Sequence, residues 1–390
     1  MEKRSVRDLD VDGKRVLVRV DFNVPVRDGE VTDDTRIERA LPTIELLVAR
    51  GAKVALISHL GRPKGSPDAK FSMDPVAKRL GELIGKHVEK LDTATGEEVS
   101  KALDATNDSV VLLENSRFYP GETKNDPQFA DELAAPFDLY VNDAFGAAHR
   151  AHATTVGVAE RLPAAAGLLL EREVDYLDGG LKDPERPFGA ILGGANVSDK
   201  LGVIESLLGA ADSLLIGGAM CFTFFKAKGF EVGKSLVEDD YLKEAKRLMD
   251  EAGEKLIFPV DVVAAEKFEH DAEHETATPE DGVPEGWMGL DVGPETVELF
   301  EGKITAAKTI FWNGPMGVFE MDAFAKGTEG VAKAVAASEA TSVVGGGDSV
   351  AAVNKLGLEG EMSHISTGGG ASLEYVEGKE LPGVAVLPDK

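Results

Sequence analysis

Short, uninterrupted apolar runs punctuate the chain, with amphipathic stretches between them. In the first half they are "RVLVRV" (15–20), "KVALIS" (53–58), "SVVLLE" (109–114) and "LYVN" (139–142). In the second half they are "FGAILGG" (188–194), "SLLIGG" (213–218), "KLIFPVDVV" (255–263), "TIFWN" (309–313), "TSVVGG" (341–346) and "SHIST" (363–367). Runs without polar alternation suit strands buried on both faces. The intervening "DDTRIERALPTIELLVARG" (33–51) and "EDDYLKEAKRLMDEAG" (238–253) open with acids and close at Gly, as helices do. Such alternation predicts βαβ units, hence parallel sheets flanked by helices.

With 390 residues, 43% of them hydrophobic, the chain can fill two cores rather than one. The segment 162–188 reads as the join, because a helix, "LLLEREVDYLDGGL", is followed there by a Pro- and charge-rich turn.

The polar residues that follow the apolar runs differ between the halves. In the first half they are Asp21 and Asn23, His59 and Arg62, Arg117, and Arg150 with His149 and His152 beside it. Ligands of an open parallel sheet bind beyond the carboxyl ends of its strands, so these residues converge on one basin, with Arg36 at the start of the first helix. Arg forks suit phosphate and carboxylate. Asp21 and Asn23 would bond ligand hydroxyls, and His59 would serve as a general base or, as we favour, a hydrogen-bond donor.

In the second half the runs end in glycine: "LGGA", "IGGAM", "WNGPMGVFE", "VGGGDS" and "STGGGAS". Glycine lets the backbone approach a ligand closely, and "STGGGAS" opens a helix whose amides would face an anion. Asp348 is a candidate Mg²⁺ ligand and Glu320 a candidate ribose acceptor. "GFEVGKS" (229–235) falls one residue short of a Walker A loop and follows no clear strand.

Charge and cysteine content narrow the classes. A formal net charge of −27 argues against nucleic-acid and anionic-membrane partners, so any anion site must be a local cation cluster. Cys221 is the only cysteine and falls in an apolar run, as a small core residue would. A charged N-terminus without an apolar segment points to a cytoplasmic protein.

Taken together, "RVDFNVP", "TRIERALPT", "SHLGRP", "ENSRFYPGE", "VNDAFGAAHRAH", "ILGGANVSDK", "GWMGLDVGPET", "WNGPMGVFE", "VGGGDS", "HISTGGGASLE" and "LPGV" resemble phosphoglycerate kinases from end to end. The resemblance implies an α/β protein of two doubly wound, Rossmann-like lobes, each a parallel sheet flanked by helices, with a hinged cleft between them. It divides the chain into an N-terminal lobe (1–168), an interdomain helix (169–182) and a nucleotide lobe (183–379), with a tail (about 380–390) returning to the first lobe. It assigns 3-phosphoglycerate or 1,3-bisphosphoglycerate to Asp21, Phe22, Asn23, Arg36, His59, Leu60, Gly61, Arg62, Arg117 and Arg150. It assigns ADP or ATP to Gly193, Gly194, Lys200, Gly217, Gly218, Gly289, Leu290, Asn313, Glu320, Gly346, Gly347, Asp348 and Ser349, with Mg²⁺ at Asp348. Catalytic roles fall to Arg36, Lys200 and the amides of Gly368, Gly369 and Gly370, and a monomer is implied. One position departs: Asn196 stands where the family motif commonly has Lys. It is a tolerated variant, the mark of an impaired form that binds both ligands but turns over slowly, by a factor on the order of 10²–10³, or an error in the sequence.

Overall fold

The structure, a computed structural model, describes residues 2–105, 110–181 and 183–390. The chain forms two compact units, Met1–Asp175 with Glu380–Lys390, and Tyr176–Lys379.

Unit 1 holds β1 (Arg15–Arg19), a hairpin of β2 (Val26–Arg27) and β3 (Glu30–Val31), β4 (Lys53–Ile57), β5 (Val88–Lys90), β6 (Val110–Leu112), β7 (Leu139–Asn142) and β8 (Ala164–Ala166). Its main sheet has the order β5-β6-β4-β1-β7-β8, and every pairing is parallel. Val16, Leu17 and Val18 of β1 are fully buried, as the unbroken apolar run requires. The central strand also carries Arg19, which is 1% exposed.

Unit 2 holds β9 (Phe188–Leu192), β10 (Ser213–Ile216), β11 (Leu256–Ile257), β12 (Val262–Ala265), β13 (His274–Ala277), β14 (Met288–Val292), β15 (Thr309–Asn313), β16 (Thr341–Gly345) and β17 (His364–Ile365). Its parallel sheet runs β11-β10-β9-β15-β16-β17. Numbered within the sheet this is the 3-2-1-4-5-6 order of a dinucleotide-binding fold, whose ligand crevice opens where β9 and β15 diverge. Unit 1 is doubly wound as well, but its outer strands are exchanged, giving 3-4-2-1-5-6.

One expected strand is corrected. The run 255–263 is not continuous: β11 ends at Ile257, and β12 begins at Val262 in a different, antiparallel sheet, β13-β12-β14. Pro259 lies between them and cannot donate to a ladder. The run 109–114 narrows to β6, with Ser109 outside the described residues. The pattern also passed over β8, whose "AAA" has no strand propensity and pairs with β7 because a buried edge needs only small side chains there.

The helix Leu168–Leu181 spans the point where the units divide. Buried Asp143 accepts from the amides of Leu169 (2.9 Å) and Leu170 (3.3 Å), and Thr43 Oγ1 from that of Leu168 (2.9 Å), so its first turn is capped from unit 1. The C-terminal tail lies on unit 1. Gly383 donates its amide to Ala148 O (2.8 Å), and Asn142 Nδ2 donates to Gly383 O (3.0 Å).

Candidate functional site

Each unit carries a candidate site of its own. In unit 1 the strand ends deliver a dense cation cluster. Arg36 pairs with Asp21 at 2.8 Å. Asn23 Oδ1 accepts from Gly61 N (2.8 Å), and Arg117 Nη1 donates to Gly61 O (2.7 Å), so the 59–62 loop is held on two sides. Gly61 has φ +62°, and a Cβ there would collide with Phe71, which leaves little alternative to glycine. Arg62 and Arg150 are exposed, and Arg150 Nε lies 3.1 Å from His149 Nε2. The side chains of Phe22 and Leu60 are in the core. Their amides are used by Ser58 Oγ (2.8 Å) and Asn115 Oδ1 (3.2 Å), so both residues place backbone rather than present a side chain.

The charges act on one another. Burial, then Arg19, Arg117, Arg36 and His152, holds the pKa of His59 well below the usual imidazole value. Burial first, then Arg150, Arg19 and Arg62, lowers that of Arg117, against an opposing pull from Glu122. His152 falls to about 4 through burial and its neighbouring cations. This positive field is only partly compensated, as a site for a multiply charged anion requires.

His59 is neutral, and its tautomer is determined. Arg19 Nη2 lies 3.0 Å from His59 Nδ1. A guanidinium can only donate, so Nδ1 accepts and the ring proton sits on Nε2. That state is a hydrogen-bond donor. Arg19 escaped notice in the sequence because it sits inside an apolar strand run, where its one signal is a charge at a core position.

In unit 2 the turns after β9, β10 and β15 interlock. Gly193 N donates to Asn313 O (3.0 Å), Gly194 N to Pro315 O (3.1 Å), Gly217 N to Leu192 O (2.8 Å) and Gly218 N to Met316 O (2.9 Å). These four amides are therefore spent inside the fold. What the glycines contribute is close backbone approach: a Cβ at Gly193 would collide with the Pro315 carbonyl, and one at Gly218 with the backbone of Gly194. Lys200 Nζ donates to Asn313 Oδ1. Burial lowers the pKa of Lys200, while Asp199 and Asp348 oppose the shift. Asn196 Nδ2 donates to Asp199 Oδ2 at 2.9 Å.

A cavity of about 690 Å³ opens beside these turns. Gly194, Gly218, Gly289, Leu290, Glu320 and Asp348 line it, along with Phe222, Phe268, Leu236, Met288 and Val318, which no local spacing singles out. Leu236 (53% exposed) and Phe268 (56%) are exposed apolar side chains on its wall, well suited to a flat aromatic ligand. Gly193, Lys200, Gly217, Asn313, Gly346, Gly347 and Ser349 are not among its lining residues. Gly347, Asp348 and Ser349 form the first turn of the helix Gly347–Lys355, and Ser349 Oγ accepts from Gly314 N (2.6 Å). Gly369 and Gly370 open the helix Gly370–Val376, whereas Gly368 N already donates to Ser366 Oγ (3.2 Å). Cys221 is buried, and burial raises its thiol pKa, which leaves it unreactive.

Known proteins match the whole chain. A family model described as phosphoglycerate kinase matches residues 6–379. A phosphoglycerate kinase of Rubrobacter xylanophilus is 76% identical, covering 100% of this chain and 99% of its own. One from Thermosipho africanus is 56% identical over the same shares. Among solved structures, phosphoglycerate kinase from Coxiella burnetii superposes with a TM-score of 0.90 at 41% identity, covering 98% of each chain. That from Pyrococcus horikoshii gives 0.86 at 35%, again over 98% of each.

Proposed function

The chain belongs to the phosphoglycerate kinase family, and from that premise we propose how its two half-sites carry out the reaction. A phosphoryl group moves reversibly between the acyl phosphate of 1,3-bisphosphoglycerate and ADP, giving 3-phosphoglycerate and ATP. The basin of unit 1 binds the phosphoglycerate, with Arg62, Arg117 and Arg150 on its anionic groups and His59 donating from Nε2. Arg36 exchanges Asp21 for the transferring group. In unit 2 the apolar cavity takes the base, Glu320 accepts from the ribose, and Lys200 moves from Asn313 to the phosphates.

The carboxylate that leaves in one direction and attacks in the other carries no proton at neutral pH. No general base is required, and neutral His59 is consistent with that. Catalysis is then positioning and charge neutralisation. The half-sites belong to different units, so the ligands must be brought together for in-line transfer. Gly369 and Gly370 offer amides to the transferring oxygens, and Gly368 joins them on releasing Ser366.

Mg²⁺ would be held by this chain only in part. Among the described residues no group of three or more acidic, His or Cys side chains could hold a metal. Exposed Asp348 on the cavity wall would supply, with phosphate oxygens, the oxygen donors Mg²⁺ favours, and the ion would neutralise phosphate charge there. We further propose a cytoplasmic monomer; among the described residues no helix is long and apolar enough to cross a membrane.

The observation that carries the residue assignment is the arrangement of cations at the strand ends of unit 1, with Arg36 on Asp21 and Arg117 on the Gly61 carbonyl. A coupled assay with ATP and 3-phosphoglycerate tests it. Arg36→Ala is expected to lower turnover by a factor on the order of 10². An inactive parent chain, or an Arg36→Ala variant as fast as the parent, overturns the assignment.

A further inference from the structure

Glu122 is fully buried, yet none of the assigned roles uses it. Its carboxylate accepts from Thr154 N (3.0 Å), Thr154 Oγ1 (2.6 Å) and Ser116 Oγ (3.3 Å). His152 Nδ1 lies 3.9 Å from it, on a ring whose pKa is lowered to about 4 by burial and then by neighbouring cations. Thr154 lies in a buried π-turn, Ala153–Gly157, that brings both its amide and its hydroxyl to the same carboxylate.

From Thr154 the bonding continues in one direction only. Arg19 Nε donates to Thr154 Oγ1 at 2.8 Å. Arg19 has no acceptor, so the hydroxyl proton of Thr154 must go to Glu122 and its lone pair must receive Arg19. Arg19 Nη2 then donates to His59 Nδ1. Arg19 donates at both ends, so the Nε2–H form of His59 depends on the guanidinium keeping its place, and the Thr154 hydroxyl, oriented by Glu122, is the acceptor that holds its other end. The relay also answers an electrostatic requirement, since a guanidinium 1% exposed inside a sheet needs a nearby anion.

We propose that Glu122, acting through the Thr154 hydroxyl and Arg19, is a positioning residue that holds His59 as the neutral Nε2–H tautomer and so prepares a directed donor for the substrate anion. The proposal rests on the reading of the unit 1 basin as the phosphoglycerate site. Glu122, Thr154 and Arg19 are then parts of the recognition machinery, not packing.

The test reads the ring directly. Long-range ¹H–¹⁵N spectra of the full chain report the tautomer of His59. The parent is expected to show the single Nε2–H form. Thr154→Val removes the hydroxyl and keeps every charge; it is expected to mix the His59 forms and to raise KM for 3-phosphoglycerate about tenfold, leaving KM for ATP unchanged. Thr154→Ser is expected to restore both. Glu122→Gln should resemble Thr154→Val, and if it does not fold, the Thr154 pair still decides the matter. A single Nε2–H form in Thr154→Val with unchanged KM overturns the proposal. So does an equal rise of both KM values that Thr154→Ser does not rescue, which is the signature of a purely structural role. If the parent chain does not phosphorylate 3-phosphoglycerate, the functional reading falls, while the imidazole spectrum, which needs no turnover, still decides the relay.

Discussion

Asn196 shows how one side chain can be read two ways until its partner is known. As a missing lysine it implied an impaired form, and none of the comparisons supports that form. Its amide is engaged with Asp199, the residue beside Lys200, and Asp199 in turn favours the charged state of Lys200. A lysine introduced at 196 would meet the Asp199 carboxylate before any phosphate. Asn196→Lys is therefore expected to change kcat by less than about threefold, as exposed ion pairs are worth little. Parallel coupled assays of parent and variant check this, and a gain on the order of 10² would restore the impaired reading.

At the scale of elements, the cavity proposed for the nucleotide depends on a sheet the hydrophobic pattern did not show. β14 supplies Gly289 and Leu290 to its wall. Gly289 donates its amide to Ser235 Oγ (2.8 Å), and a Cβ in its place would drive into the ring of Phe222, which also lines the cavity. The ring would have to yield, and the cavity it lines is open to it. Gly289→Ala is expected to raise KM for ATP about tenfold, in line with the cost of overpacking, with KM for 3-phosphoglycerate unmoved. Steady-state kinetics with each substrate varied in turn measure it. Equal KM values in parent and variant would show that the ring has room elsewhere.

For the whole molecule, the two units carry buried titratable groups of opposite kind. In unit 2 burial raises the pKa of Asp291 to about 7, against the amides of Gly327, Val292 and Lys326. Between the ordinary carboxyl value and about 7 the folded state binds more protons than the unfolded one, so unit 2 loses stability as pH rises through that window. In unit 1 His59 and His152 are lowered, to about 4 for His152, so the folded state binds fewer protons up to the ordinary imidazole value and stability rises with pH. Asp143, raised to about 6 by burial, opposes this, but one carboxyl stands against two imidazoles. From about pH 5 to about pH 6.5, calorimetry should therefore show the unit 2 transition moving down and the unit 1 transition moving up. Asp291→Asn should abolish the first shift and leave the second. Parallel shifts of both transitions in the parent would contradict the account.

The sequence by itself determined a great deal. Unbroken apolar runs required strands buried on both faces, and glycines or arginines immediately after them could only lie at strand ends. That was enough for two parallel α/β units, a cationic basin in the first and glycine-rich turns in the second. It did not show β8, because alanine has no strand preference, nor the break at Pro259, because a run of apolar letters has no visible sheet membership. Only the tertiary structure decided which donors are already spent, as at Gly193 and Gly368, and which side chains close the cavity. It alone showed that Arg19, Thr154 and Glu122 meet. Those facts depend on contacts between residues far apart in the chain. A hydrogen bond between positions 19 and 154 leaves no trace in the local spacing of either.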